Sequence, residues 1–274
     1  MGADAPSGTF SMTPQPENLW QEILAEARDF SQDEPVLASF FHAAILSHDS
    51  LETALGYNLA EMLGNMALSK LAIRQVFAEA LENDGGIGEK MQRDLVAYRE
   101  RDPACDKYAM PLLYFKGFHA LQVHRVAHYL WLNDRQALAV HLQSLCAEVF
   151  CVDIHPGAQI GGGVMVDHAT GLVIGETAVV EDNVSMLHAV TLGGIGNESG
   201  DRHPKIRSGV LIAAGAKILG NIEVGEGAKV GAGTLVLESV SPHTTVAGVP
   251  ARVVGKPREA APALEMDQRI NSAP

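Results

Sequence analysis

The chain has 274 residues, 47% of them hydrophobic, enough for one large or two ordinary globular domains with a proper core. Its 20 basic against 33 acidic residues give a formal charge of -13, which disfavours nucleic acid and anionic membrane as partners and demands a local basic site for any anionic ligand. No apolar run approaches the roughly 18 residues of a membrane span and no signal peptide opens the chain, so a cytoplasmic protein is expected.

Residues 1–16 read as a disordered leader, with Met12 offering an alternative start. From Glu17 to about Leu145 the apolar residues recur at three and four, as in "LWQEILAEARDF", "LETALGYNLAEMLGNMAL" and "LLYFKGFHALQVHRVAHYLW". The period predicts a helical domain over residues 17–150. Asp102 and Pro103 mark a break between helices, because proline pushes the preceding residue out of helical geometry. Pro111 suits the first turn of the next helix. Cys105, Cys146 and Cys151 are an odd number at spacings that suggest neither a disulfide framework nor a zinc site; they read as reduced thiols.

From Ile154 the period changes to six. Ile154, Ile160 and Val166 are six apart; so are Ile174, Val180, Met186 and Leu192, and again Ile206, Ile212, Ile218, Val224, Val230 and Val236. Small or aliphatic residues such as Ala158, Ala178, Val190 and Ala216 sit two places before these. Neither a helix nor an alternating strand has this period. It predicts a hexapeptide solenoid, in which each hexapeptide forms one side of a triangular coil and the aliphatic residues stack inward. Residues 152–254, less ten inserted ones, accommodate about five coils of about 18 residues, a prism roughly 24 Å tall.

The register slips twice: Val166 to Ile174 is a step of eight, and Leu192 to Ile206 a step of fourteen. The first slip carries Asp167 and His168; the second, "GGIGNESGDRHPKI", carries Arg202 and His203. Insertions into a solenoid serve its binding face, so these loops push a charged residue and a histidine out of the stack. A single loop histidine is often merely solvated; two at independent slips, each beside a charge, favour a site. His155 and His188 lie on the regular coil and read as structural.

"DPACDKYAMPLLYFKGFHALQVHRVAHYLW", "VDIHPGAQIGGGVMVDHATGLVIGETAVVEDNVSMLHAVTLGG", "GDRHPKI", "GAKILGNIEVG" and "HTTVAGVPARVVGKP" together closely resemble bacterial serine acetyltransferases. The match runs from about Asp102 to Pro257, and the helical residues before it fit more loosely. The resemblance implies an α+β chain, an N-terminal α-helical domain followed by a left-handed parallel β-helix, the hexapeptide-repeat solenoid. The helical domain (17–150) would oligomerise and supply Asp102 to the site; the β-helix (151–256) would be catalytic, and 257–274 a flexible tail.

It further implies transfer of acetyl from acetyl-CoA to the hydroxyl of L-serine, giving O-acetylserine for cysteine biosynthesis, with no metal. His168 matches the family's general base and Asp153 the carboxylate that orients it. Asp102 and Asp167 match the ligands of the substrate ammonium, and Arg202 and His203 those of its carboxylate and hydroxyl. Acetyl-CoA would lie between coils of adjacent subunits along Gly194, Ala214, Lys229 and Ala232, which implies a homotrimer, or a dimer of trimers joined through the helical domains. L-cysteine, differing from serine only by sulfur for oxygen, is expected to inhibit in the same pocket.

The tail, "KPREAAPALEMDQRINSAP", cannot bury enough surface to fold alone and is expected to be mobile. Relatives end in an isoleucine that enters O-acetylserine sulfhydrylase. This sequence ends at Pro274 with Ile270 inside, so that complex is expected to be weak or absent. The rivals are a hexapeptide acyltransferase for a sugar or antibiotic hydroxyl, a zinc hydratase of the gamma carbonic anhydrase kind, and a non-catalytic scaffold. The first would lack "DPACDKY" with "GDRHPKI"; the second needs a histidine pair five apart, which the spacings of 13, 20 and 15 among His155, His168, His188 and His203 do not offer.

Overall fold

The computed structural model describes residues 18–196 and 199–270, so the leader expected over 1–16 lies outside it. Apolar residues at three and four bury one face of each N-terminal helix: α1 (Leu19–Asp33), α2 (Ala38–Phe41), α3 (Leu51–Leu63), α4 (Lys70–Asn83), α5 (Gly85–Arg101), α6 (Ala109–Tyr114), α7 (Lys116–Leu132) and α8 (Gln136–Phe150). Ser50 and Thr53 form a capping box at α3, and the Ser69 hydroxyl and Asp84 carboxylate cap α4 and α5. α3 stops before the apolar period runs out, because the Asn65 side chain accepts the N–H groups of Ala67 and Leu68 and turns the chain. The apolar stretch over 112–131 spans two helices, broken at Phe115. Asp102 leaves α5 in extended geometry, as the proline after it requires.

Cys151 adopts a left-handed conformation (φ 57°) and turns α8 into a solenoid. Its first coil holds β1 (Val152–Ile154), β2 (Gln159–Ile160) and β3 (Met165–Val166); the second β4 (Leu172–Ile174), β5 (Val179–Val180) and β6 (Ser185–Met186). The third holds β7 (Thr191–Gly193), β8 (Lys205–Ile206) and β9 (Leu211–Ile212), and the fourth β10 (Lys217–Leu219), β11 (Glu223–Val224) and β12 (Lys229–Val230). β13 (Leu235–Val236) and β14 (Thr245–Ala247) make the fifth, closed by β15 (Arg252–Gly255), which pairs antiparallel with β14. Three parallel sheets result, in the orders β1-β4-β7-β10-β13, β2-β5-β8-β11 and β3-β6-β9-β12-β14. The six-residue period sets their register: Ile154 pairs with Ile174, Ile160 with Val180, and Val166 with Met186, all pointing into a closed core.

A solenoid ends on an open edge, and β1, β2 and β3 expose theirs toward the helices. The helices supply the missing hydrogen bonds. The Tyr98 hydroxyl donates to the carbonyl of Val166 (2.8 Å) and accepts its N–H (3.0 Å). The Asp94 carboxylate, fully buried, accepts the Val164 N–H at 2.9 Å and is held by Arg125 (2.6 Å) and Gln122 (3.0 Å). Arg125 also donates to the carbonyls of Ile160 and Gly161, Arg93 to that of Gly162, and His128 to that of Pro156. α7 approaches so closely that a Cβ on Gly117 would lie 2.0 Å from the Val166 oxygen.

The expectation of a flexible tail does not hold for 261–270. α9 (Pro262–Glu265) lies against α5 and β9. Ala261 and Ala263 are buried, the Ala263 N–H donates to Gly209 (3.2 Å), and the Ser185 hydroxyl donates to the Ala263 carbonyl (2.8 Å). The Lys229 ammonium holds the Arg269 carbonyl at 2.8 Å. A segment too poor in apolar surface to fold alone is ordered here by a surface that already exists. Pro274 lies outside the described residues.

Tyr98→Phe removes both partners of the Val166 peptide while keeping the ring, and is expected to cost about 1–3 kcal/mol of unfolding free energy in chemical denaturation. An unchanged denaturation midpoint would show that the clamp is dispensable.

Candidate active site

The first slip projects from the corner between β3 and β4. Two residues in succession, His168 (φ 57°) and Ala169 (φ 58°), adopt left-handed geometry there, which lifts the His168 side chain out of the stack until it is 73% exposed. Its Nε2 lies 3.6 Å from an Asp167 oxygen, and its ring stands edge-on to His188 at 5.8 Å. α5 brings Asp102 to the same corner, one turn beyond the Tyr98 that grips Val166. Burial pushes the Asp167 carboxyl above its ordinary range, the neighbouring His168 draws it back, and Asp102 raises it again. Asp102 and Asp167 thus lie within electrostatic reach of each other at this corner.

The second slip lies at the other corner, between β7 and β8, and folds back onto the turn of the coil above. Arg202 donates to Glu176 at 2.7 Å, which lowers the Glu176 carboxyl. The Thr177 hydroxyl accepts the backbone N–H groups of Arg202 (3.0 Å) and His203 (3.2 Å) and contacts His203 Nδ1 at 2.9 Å. His203 is buried, and burial first, then the Arg202 charge, keep its imidazole below the ordinary pKa. Its Nε2 lies 2.0 Å from where a Cβ on Gly175 would be, so only glycine leaves room for the ring.

Asp102, Asp167 and His168 therefore share one corner, and Arg202 and His203 the next. About six residues of chain, including β4, separate them, roughly 20 Å of strand path. The pairing expected between Asp153 and His168 is absent within the described chain. Asp153, in the middle of β1, accepts instead from the Gln143 side chain at 2.7 Å, and His168 keeps to Asp167. Ala214 and Ala232 stack below His188 on the first corner, through N–H bonds from Gly215 to His188 and from Gly233 to Ala214. Gly194 lies beside His203 on the second, and Lys229 is buried on the face of β12. His155 has the structural role expected of it, accepting the Gly157 N–H and packing edge-on to Trp131. His188 is exposed on the first corner, its ring beside that of His168. Glu176 and Thr177 escaped the sequence reading because they occupy an unbroken hexapeptide. Among the described residues, no group of three His, Cys, Asp or Glu side chains is arranged to hold a metal.

A triangular parallel solenoid, with an exposed histidine at one corner and acidic and basic clusters at neighbouring corners, defines the class of hexapeptide-repeat acyltransferases. Residues 203–238 match the bacterial transferase hexapeptide family, and residues 19–123 the family described as "Serine acetyltransferase, N-terminal". Serine acetyltransferase of Salmonella typhimurium is 58% identical over 255 residues, 93% of each chain. The solved serine acetyltransferase of Brucella abortus in complex with coenzyme A is 52% identical, with a TM-score of 0.87 over 88% of this chain and 97% of that one. A serine acetyltransferase solved in complex with cysteine is also 52% identical, with a TM-score of 0.90 over 92% and 98%. The chain belongs to the serine acetyltransferase family.

Gly175→Ala is expected to drive the His203 ring from its place while leaving the solenoid folded, because the new methyl group meets the ring and not the backbone ladder. A crystal structure of the variant with His203 unmoved would overturn the steric argument.

Proposed function

We propose that the chain transfers acetyl from acetyl-CoA to the hydroxyl of L-serine, giving O-acetyl-L-serine and CoA, the first step of cysteine biosynthesis. The observation that carries this reading is the paired charge of the two corners: Asp102 and Asp167 suit an ammonium, Arg202 and His203 a carboxylate, and an amino acid has both. A sugar hydroxyl has no group for the paired carboxylates. The relatives solved with coenzyme A and with cysteine support the acyl donor and inhibition by L-cysteine, which offers the same two charged groups.

A serine hydroxyl is a poor nucleophile until a base removes its proton, and His168 is the exposed imidazole beside the ammonium receptor. As the Oγ–C bond forms on the thioester carbonyl, His168 takes the proton; the tetrahedral oxyanion then collapses, the C–S bond breaks, and the thiol leaves. Acetyl-CoA runs along Ala214 and Ala232 of the first corner, with Gly194 and Lys229 as its other neighbours.

One serine cannot span the two corners of a single chain. We infer that the first corner of one copy meets the second corner of the next, which also brings Asp153 of one copy to His168 of its neighbour. Such an interface joins unlike surfaces, so it closes as a ring and not as a two-fold dimer, and a triangular prism suits a ring of three. Pairing of two such trimers through the helical domains gives the hexamer. A cytoplasmic location fits three unpaired thiols, two of them buried, and no helix among the described residues is long and apolar enough to cross a membrane.

His168→Ala is expected to lose about 100- to 10,000-fold in turnover, measured as serine-dependent thiol release, with the fold intact. Activity within threefold of the parent would remove His168 from the mechanism. Asp167→Asn and Arg202→Ala, each nearly inactive alone, are expected to regain activity when co-expressed, because a mixed ring contains interfaces with both intact corners. A mixture no more active than either variant would place the whole site within one chain.

A further inference from the structure

We propose that Thr177 is a positioning residue for the transfer reaction: it holds His203 in the tautomer that carries its proton on Nε2, so that His203 presents a hydrogen-bond donor to the substrate. The proposal rests on the reading of His203 as a substrate-contacting residue. Thr177 lies in the turn between β4 and β5, and every polar atom it offers toward the second slip is used. Its hydroxyl oxygen accepts two backbone N–H groups, from Arg202 at 3.0 Å and from His203 at 3.2 Å. Both lone pairs are then occupied, and the hydroxyl proton is left to point at His203 Nδ1, 2.9 Å away. The backbone N–H of Thr177 also donates to Nδ1, at 3.2 Å. A ring nitrogen that accepts cannot carry the proton of a neutral imidazole, so that proton is on Nε2.

Nε2 is the atom that faces the reaction. It packs over the Cα of Gly175 and has no hydrogen-bond partner among the described residues; a Cβ on Gly194, placed along the acyl donor, would lie 3.6 Å from it. A developing oxyanion, or the substrate carboxylate, is stabilised by an N–H at that point and repelled by a lone pair. The charged and titratable groups around the ring are Arg202, Glu176, Lys205 and His155, with Asp201 beside the Thr177 hydroxyl. Burial and Arg202 both disfavour the charged imidazolium, and Thr177 is placed to choose between the neutral tautomers. The two slip histidines thus divide the work: His168, in the open, takes a proton, whereas His203, buried and locked, offers one without releasing it.

The test uses the full-length enzyme labelled with ¹⁵N in histidine, the His203 signals being assigned by their loss in His203→Gln. The parent is expected to show His203 as a single Nε2–H tautomer. Thr177→Val keeps the shape and the backbone N–H but leaves Nδ1 with one of its two donors, and is expected to shift part of the ring to the Nδ1–H tautomer and to lower kcat for serine about tenfold with KM little changed. Thr177→Ser is expected to restore both. An Nδ1–H tautomer in the parent, or a Val variant indistinguishable from it in spectrum and kinetics, would overturn the proposal. Full activity of His203→Gln would bring down the reading of the site itself, whatever the tautomer.

Discussion

The rest of the structure hangs on how the open edge of the first coil is covered. A parallel solenoid leaves an unpaired row of peptide groups at each end, and each buried group left unsatisfied costs about 1–3 kcal/mol. Here the row is met by side chains of α5 and α7. Tyr98 binds both polar atoms of the Val166 peptide, and Asp94, neutralised by Arg125, binds the Val164 N–H. A buried ion pair is a weak source of stability by itself, but this one is fully hydrogen-bonded and ties two helices and a strand into a single register. The same α5 carries Asp102 one turn past Tyr98. Capping the solenoid and placing Asp102 are thus one act of packing, since the helix that closes the edge also carries Asp102 to the corner of Asp167.

The chemistry follows from a division between corners. Strand segments of the solenoid are short and tightly registered, so they offer little freedom for a site; the corners can take insertions without disturbing the core. Each insertion is then anchored to the coil beside it. Thr177 and Glu176 on the second coil hold the loop that starts on the third, and the Tyr98 clamp fixes the strand that precedes the first. The Asp102–Asp167 pair and the Arg202–His203 pair sit at different corners of the same chain.

The tail illustrates how a segment's order depends on what lies beside it. Its composition is that of a chain that stays unfolded alone, yet Ala261, Pro262 and Ala263 are buried beside α5 and β9. Ser185 and Lys229 supply hydrogen bonds to its carbonyls. Ser185 also accepts from Arg101, the residue before Asp102, so the tail and Asp102 lie at the same end of α5.

The coil architecture was legible in the sequence, because a six-residue period points to a solenoid: Ile154, Ile174, Leu192, Ile218 and Val236 fall into one stack on either side of the loops. The helical half was equally legible in outline, and its internal breaks at Gly64 and Phe115 were not, since local capping by Asn65 and the close approach of Gly117 decided them. Of the site, the residues that break the period announced themselves: Asp167, His168, Arg202 and His203. The residues that contact these from regular positions, Glu176, Thr177 and His188, carry no mark in the sequence. That the two marked pairs lie on different corners, and that Asp153 faces Gln143 and not His168 in its own chain, depends on how the coils stack. The physical reason is one of range. Periodicity reports which side of a backbone is buried, whereas contacts between coils, and the hydrogen bonds that orient a ring, depend on residues that only folding brings within 3 Å.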